Sequence, residues 1–526
     1  MNRDTKTCEM TGDHGAVAAW LTSPNVYQHR PDRVEHIETH ISNVFLAGSY
    51  VYKLKKPVRY DFLDFTTLAA REHACREEVR LNRRLAPDTY LRVAPIVRSP
   101  EGRLRWDGAG EIVDWVVEMR RLPTELTLDA LYNRGQLHPF HIDRLTTTLV
   151  SFYRSLSPLS LTSEEYRERY LAHVCANARD LLAVRHRLPR GAVKRASGFQ
   201  FQLLSLRPEL LENRVLEGRI VDGHGDLRPE HICLSDPIAI FDCIEFSPDF
   251  RRIDVADEIA FLTAECDLLG AKWVGPRLLT NYQQQTGDHP PRILTDFYKS
   301  YRACVRAKVA ALRADQLQGS LRLAAVAEAI ERLGFADTYS APWLRPLVIV
   351  VGGLAGTGKT TLAATLADIL GAELLRTDII RQDLFNAGTT AETADGGIYS
   401  PDARQVVYEE MFHRGAALHG DRISIILDGT FSTVTSFDRA KKLAIDPISV
   451  FVGVECVCRP EVAHQRISQR LAEGRDASQA RPEIHDFQRM RWEAWPAVAE
   501  QVRIDTERPL AEQVQRVTAK LKQLIR

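Results

Sequence analysis

The stretch GGLAGTGKTT, residues 352–361, restricts this 526-residue chain more than any other part of it. Gly353, Gly358, Lys359 and Thr360 fit the spacing G-x-x-x-x-G-K-[ST], with Gly356 and Thr361 inside the same run. A β-branched segment, Val348 to Val351, enters the loop. After it, Leu362, Leu366, Ile369 and Leu370 recur at helical spacing. Strand, glycine turn and helix in that order let backbone N–H groups converge on phosphate oxygens, and the helix N-terminus adds positive potential. Gly353, Gly356, Gly358, Lys359, Thr360 and Thr361 are therefore the candidate ATP-binding residues. Lys359 would reach the β- and γ-phosphates and Thr360 would ligate Mg²⁺.

From Leu347 onward, apolar runs (PLVIVVGG, ISIILDGTF, ISVFVGVEC) each precede a helical pattern. That alternation predicts a parallel sheet with crossover helices. In LLRTDIIRQDL a second strand is expected to end at Asp378, with Arg381 one helical turn later. A carboxylate there suits a base for an attacking hydroxyl, with Arg381 orienting the acceptor; an N-cap Asp beside a solvated Arg would read the same way. Asp428 closes the apolar run SIILD, where a carboxylate holds Mg²⁺ through water, or serves a turn. Arg466 and Arg470, four apart on one helical face with Arg475 following, are spaced to bring arginines onto a transferring phosphoryl group. A solvated amphipathic helix has the same pattern.

Some 350 residues precede this cradle, enough for at least one further domain. Basic and acidic residues balance at 69 each, which argues against a dedicated nucleic-acid binder. Nine cysteines without a CxxC pair suggest reduced thiols rather than a disulfide framework or zinc site. Acidic residues and glycines precede any apolar stretch at the start, unlike a signal peptide, and the apolar run at 347–353 is too short to span a bilayer. A cytoplasmic location without a membrane partner is the expectation. Oligomeric state is not legible.

Two apolar runs in the first part carry a second chemistry. VDGHGDLRPEHICL places Asp226 in a His-Gly-Asp-Leu turn, and Asp242 follows sixteen residues later at the end of IAIFD. A phosphoryl-transfer site needs two carboxylates so disposed, one for the substrate hydroxyl and one for the metal bridging the phosphates. Upstream, SYVYKLKKP reads as a strand with Lys53 and Lys55 on one face; an exposed basic strand edge would look similar. Residues 25–122 mix strands with one helix, residues 123–335 are mostly helical, and Pro342 and Pro346 mark a linker over 336–345. Gly334 is read as the stop of the last helix before it.

Residues 346–526 resemble the small P-loop kinases: gluconate-kinase-like proteins, polynucleotide 5′-hydroxyl kinases, zeta toxins and chloramphenicol phosphotransferase. The cradle, TDIIR, ILDGTF and RISQR follow in the order those families show. HGDLRPEHI and FDCIEF resemble the catalytic loop of the aminoglycoside and choline phosphotransferases, which share the protein-kinase-like fold. The resemblance makes Asp226 the catalytic base, Asp242 the metal ligand and Lys53 the strand lysine contacting phosphates, with Lys55 close behind. Glu78 or Glu77 is its helix partner, and backbone groups around Met119 hold the adenine. Those families place an asparagine five residues after the catalytic Asp; here His231 stands there. Imidazole matches Mg²⁺ poorly. His231 is carried as a metal ligand on position alone. Otherwise it holds the loop by hydrogen bonding, Glu230 or Glu245 moves in, or the second metal site is lost. The expected Gly-rich phosphate loop is reduced to Gly48.

Together these motifs resemble bacterial two-domain proteins that join an aminoglycoside-phosphotransferase-like domain to a P-loop kinase-like domain. The resemblance implies α/β and α+β architecture: a bilobal kinase-like domain over 25–335 (lobes 25–122 and 123–335), then a parallel-sheet P-loop kinase domain over 346–526. It implies catalytic roles for Asp226, Asp378, Arg466 and Arg470, metal roles for Asp242, Thr360 and Asp428, and ATP with Mg²⁺ as cofactors. The acceptor is expected to be a small-molecule hydroxyl, with a nucleic-acid end less favoured. Arg302, Arg306 and Arg313 form a basic helix face that would suit an anionic acceptor or merely face solvent. A regulatory, non-catalytic N-terminal domain and a C-terminal NTPase switch remain alternative readings.

Overall fold

The computed structural model describes residues 13–60, 63–183, 187–385, 400–473, 482–496 and 498–525. The chain folds into two compact units, Met1–Leu161 with Arg214–Tyr298, and Thr162–Asn213 with Lys299–Arg526.

The first unit begins with a six-stranded antiparallel sheet in the order Val34–Glu38, Ser42–Ala47, Tyr50–Lys55, Glu111–Arg120, Tyr90–Arg98 and Leu104–Trp106. Period-two alternation decides what each face sees. Tyr52 and Leu54 turn into a core with Val17, Phe45 and Ile96. Val51 joins Cys75 and Val79 of the helix Leu68–Asn82, which covers the opposite face. Lys53 and Lys55 share that second face and so meet the helix. Thr67 caps the helix by accepting the Ala70 N–H at 3.2 Å.

The helical part of this unit packs Pro139–Ser155, Val255–Leu269 and Val274–Thr286 around one apolar cluster. The two apolar runs of the sequence become two short ladders, Ile220–Asp222 with Arg252–Asp254 and Ile232–Cys233 with Ala239–Ile240. The loops that leave them carry Asp226 and Asp242.

The second unit holds a five-stranded parallel sheet, ordered Glu373–Arg376, Ile425–Asp428, Leu347–Gly352, Val450–Val457 and Gln501–Asp505. The central strand is buried along its whole length, as an apolar run covered on both faces must be. Leu347, Ile349 and Val351 pack with Leu362, Leu366 and Val517 on one side; Val348 and Val350 pack with Met411, Phe437 and Trp495 on the other.

Two sequence boundaries move. The helix Gly319–Ser340 runs straight through Gly334, so the linker expected at 336–345 begins inside a helix. Nothing lies within 4 Å of a Cβ at Gly334; the glycine is an exposed helical position rather than a stop. The compact units also cut the chain elsewhere than between 335 and 346. The helix Arg190–Leu206 belongs with the parallel sheet: Gln202 donates to the Arg345 carbonyl at 2.9 Å, and Ser205 donates to that of Ile369 at 2.6 Å. Helical periodicity tells which face of a helix is apolar but not which body will cover it.

Candidate functional site

In the second unit the strand Leu347–Gly352 delivers the cradle and the helix Lys359–Leu370 carries it away. Gly353 donates its N–H to the Thr430 carbonyl at 3.1 Å, tying the loop to the segment after the neighbouring strand. Gly356 adopts φ +77°, and a Cβ there would stand 2.5 Å from the Ala463 carbonyl oxygen. Only glycine lets the helix Pro460–Glu473 lie this close to the loop. Lys359 Nζ donates to the Leu354 carbonyl at 3.3 Å, and Thr361 is exposed on the first helical turn.

Thr360 Oγ1 donates to Asp428 Oδ2 at 2.7 Å. Asp428 is 4% exposed, and its Oδ1 is buried without a hydrogen-bond partner among the described residues. Burial raises the Asp428 carboxyl above its ordinary value, opposed first by Lys359. A hydroxyl and a buried, under-satisfied carboxylate side by side fit a hard divalent cation such as Mg²⁺. Arg376 Nε, which the motifs did not single out, lies 3.5 Å from Asp428 Oδ2.

The second strand ends at Arg376 rather than Asp378: the helix Thr377–Phe385 has already begun, and Asp378 sits in its first turn. Arg381 Nη1 donates to Asp378 Oδ1 at 2.6 Å, so the two are ion-paired. Arg466 lies against the cradle. Its Nη1 donates to Thr506 Oγ1 at 3.1 Å and is 3.3 Å from where a Cβ on Gly358 would stand. Arg470 follows one turn along the same helix; Arg475 lies outside the described residues.

Two residues without a sequence signal hold the loop. Gln488 Oε1 accepts the Ala355 N–H at 2.8 Å, and His485 Nδ1 donates to the Ala355 carbonyl at 2.8 Å. Both come from the helix Pro482–Met490, about 130 residues further along the chain.

In the first unit Lys53 Nζ donates to Glu78 Oε1 and to Asp242 Oδ1, both at 2.8 Å. Lys55 Nζ donates to Glu78 Oε2 at 2.6 Å and to Glu245 Oε1. Of the two glutamates offered by sequence, Glu78 faces the lysines, whereas Glu77 pairs with Arg80 on the helix surface. Burial alone would push both ammonium groups toward neutrality. Asp242 and then Glu78 outweigh it for Lys53, and Glu245 and then Glu78 for Lys55, so both stay firmly protonated. Its packed surroundings would likewise raise the Asp242 carboxyl, but Lys53 holds it far below the usual carboxylate range.

Asp242 takes φ +63°, with its N–H donated to Tyr90 Oη at 3.2 Å. Its side chain is 41% exposed, and Lys53 binds only Oδ1. An ionised, accessible carboxylate suits a divalent cation.

Asp226 sits in a loop hung from one buried carboxylate. Glu258 Oε1 accepts the N–H groups of His224 and Gly225 at 2.7 and 2.6 Å, and Oε2 accepts the Tyr153 hydroxyl at 2.9 Å. His224 Nε2 donates to the Phe241 carbonyl at 2.9 Å, which leaves Nδ1 to accept the Asp226 N–H at 3.3 Å. Burial pushes His224 down to about 4, so it is neutral at pH 7.

His231 does not fit a metal ligand: Nδ1 donates to the Asp226 carbonyl at 3.0 Å, and Nε2 accepts from Arg228 Nη2 at 2.8 Å. Glu245 is committed to Lys55 and Glu230 to Arg228, so neither replaces it. Met119 lies inside the strand Glu111–Arg120, flanked by Tyr90 and Val51 in register, which places its backbone within the sheet rather than at an open hinge. The helix bearing Arg302, Arg306 and Arg313 enters the second unit from Lys299, and Arg313 pairs with Glu328 there.

In the first unit, one lysine thus bridges strand, helix and loop where the antiparallel sheet meets the helical part. In the second unit, a glycine cradle backed by a Thr–Asp pair on a parallel sheet defines a P-loop fold. Residues 348–495 match the family model described as an AAA domain. The chain is 34% identical over 453 residues to uncharacterized protein Rv2004c of Mycobacterium tuberculosis, across 84% of its own length and 87% of the relative's. It belongs to the family of that protein. Among solved structures it is similar to a choline/ethanolamine kinase family protein from Mesorhizobium loti, at 14% identity over 62% of this chain and all of that one, with a TM-score of 0.37. It is also similar to a gluconokinase from Sinorhizobium meliloti, at 19% identity over 35% of this chain and 94% of that one, with a TM-score of 0.25. No helix among the described residues is long and apolar enough to cross a membrane.

Proposed function

We propose that the chain is an ATP-dependent phosphotransferase with two nucleotide sites, one per unit, each moving a γ-phosphoryl group to a hydroxyl. The observation that carries this reading is a repeated pairing. Each unit brings a phosphate-type lysine and a metal-type carboxylate to the same place: Lys359 with Thr360 and Asp428, and Lys53 with Asp242.

In the second unit the cradle N–H groups and Lys359 would hold the phosphates, and Thr360 with Asp428 would hold Mg²⁺. Bound there, the ion would neutralise charge between the β- and γ-phosphates. Asp378 would accept the proton of the acceptor hydroxyl as its oxygen bonds to phosphorus and the bond to the ADP oxygen breaks. Arg381 fixes the Asp378 carboxylate, and Arg466 lies beside the cradle for the transferring group. In the first unit Lys53 would hold phosphates, Asp242 the ion, and Asp226 the hydroxyl proton. Neutral overall charge supports a small-molecule acceptor over a nucleic-acid end.

Calorimetric titration of ATP with Mg²⁺ tests the two-site claim. Wild type should bind two ATP per chain and Lys359→Ala one; one and none would sink it. One contact favours a second reading, in which the first unit binds nucleotide without transferring it: Arg228 Nε already donates to Asp226 Oδ2 at 3.0 Å. On that reading Asp226→Asn leaves all acceptor phosphorylation intact.

A further inference from the structure

The Asp226 loop carries its own cation, Arg228, which is ion-paired with Asp226 and Glu230. Kinase-like sites commonly hold two ions, one on the metal-binding aspartate and one on a catalytic-loop side chain. The ring of His231 stands between the two carboxylates of this site. Its Nδ1 is 3.6 Å from Asp226 Oδ2, and its Nε2 is 3.5 Å from Asp242 Oδ2.

The neighbours fix the ring's protonation pattern. A carbonyl oxygen can only accept, so Nδ1 carries the proton toward the Asp226 backbone. A guanidinium can only donate, so the Nε2 lone pair is spent on Arg228. A ring so engaged offers no ligand atom, and a hard dication favours oxygen donors in any case. Each nitrogen of Arg228 is anchored by one bond, Nε to Asp226 Oδ2 at 3.0 Å, Nη1 to Glu230 at 2.6 Å and Nη2 to His231, which leaves a second N–H on each Nη; its side chain is 16% exposed. Unlike a bound ion, a guanidinium stays charged and in place at every cation concentration.

We propose that Arg228, oriented by His231, occupies the second-metal position of the first unit, so that this site takes ATP with a single divalent cation on Asp242. The proposal rests on the reading of that unit as a nucleotide site. Arg228 would donate to phosphate oxygens where a second ion would otherwise bridge them, and His231 is a positioning residue that sets the plane of the guanidinium. The sequence departure from asparagine to histidine is then coupled to the arginine three residues before it.

The test uses the full chain carrying Lys359→Ala, which disables the cradle of the second unit. ATP is counted by equilibrium dialysis and Mn²⁺ by electron paramagnetic resonance at saturation. One Mn²⁺ per bound ATP is expected; two per ATP would overturn the proposal. Absence of any bound ATP would remove the nucleotide-site reading itself, and the proposal with it, and separate counting of ATP distinguishes that case. In the same background Arg228→Gln should weaken ATP binding about tenfold at matched Mn²⁺, and Arg228→Lys should recover to within about threefold of the parent. Unchanged affinity in Arg228→Gln, or a lysine variant as weak as the glutamine one, would each overturn the role assigned to the charge.

Discussion

Lys53 Nζ lies 2.8 Å from Asp242 Oδ1, a contact spanning 189 residues of chain. It joins the lysine strand to the loop after Ala239–Ile240, and the same ammonium also holds Glu78 on the helix. Removing it should separate function from fold. Lys53→Met is expected to lower ATP affinity at the first unit by at least about tenfold while leaving the second unit's site unchanged. Calorimetry in the Lys359→Ala background reads the first site alone, and equal affinity there would exclude Lys53 as a phosphate ligand.

Lys55 should behave differently. It is fully buried, and its ammonium faces Glu78 and Glu245. Lys55→Met takes from the buried Glu245 the lysine it is paired with and leaves Glu78 with Lys53 alone, and breaking a buried pair costs about 3–5 kcal/mol. Chemical denaturation followed by fluorescence should show a clear loss of stability in the first unit. A shift no larger than that of a surface lysine would show the cluster to be solvated.

Gly356 is a cradle position with no room for a side chain. A Cβ would meet the Ala463 carbonyl oxygen at 2.5 Å and the Ile467 side chain at 2.9 Å, at a left-handed φ of +77°. Gly356→Ala should displace the helix Pro460–Glu473 and with it Arg466, at a strain cost of about 1–3 kcal/mol. ATP binding at the second unit is expected to disappear while the first unit's site persists. Retention of both sites would show that the helix can move away freely.

His224 gives a stability with a defined pH window. Its folded value is pushed down to about 4 by burial, against about 6.5 for an exposed histidine. Between those values the unfolded chain binds more protons than the folded one, so stability falls as pH drops from 6.5 toward 4. The full loss from this residue is about 3 kcal/mol. Denaturant midpoints at pH 7.5 and pH 5 should differ less for His224→Gln than for the parent. Equal differences would mean that His224 is already charged in the folded protein.

Local chemistry made several things legible in sequence. A glycine-rich turn between a β-branched strand and an amphipathic helix made the cradle legible in residues 347–370, and the recurrence of apolar runs before helical patterns from Leu347 onward made the parallel sheet legible. Alternation along YVYKLK placed Lys53 and Lys55 on one face, because strand periodicity is a backbone property. What lay beyond reach depends on distant chain segments. Glu78 rather than Glu77 receives the lysines because of the rotation of one helix over the sheet, and a single residue of register reverses that choice. Gln488 and His485 carry no motif, and their hold on Ala355 exists only once their helix has packed. The helix Arg190–Leu206 reads as part of the first domain by order along the chain, yet Gln202 and Ser205 tie it to the parallel sheet. His231 illustrates the division. The sequence established that an imidazole replaces an amide; only the folded loop, by setting Arg228 against one ring nitrogen and a carbonyl against the other, decided that this imidazole orients a guanidinium instead of binding a metal.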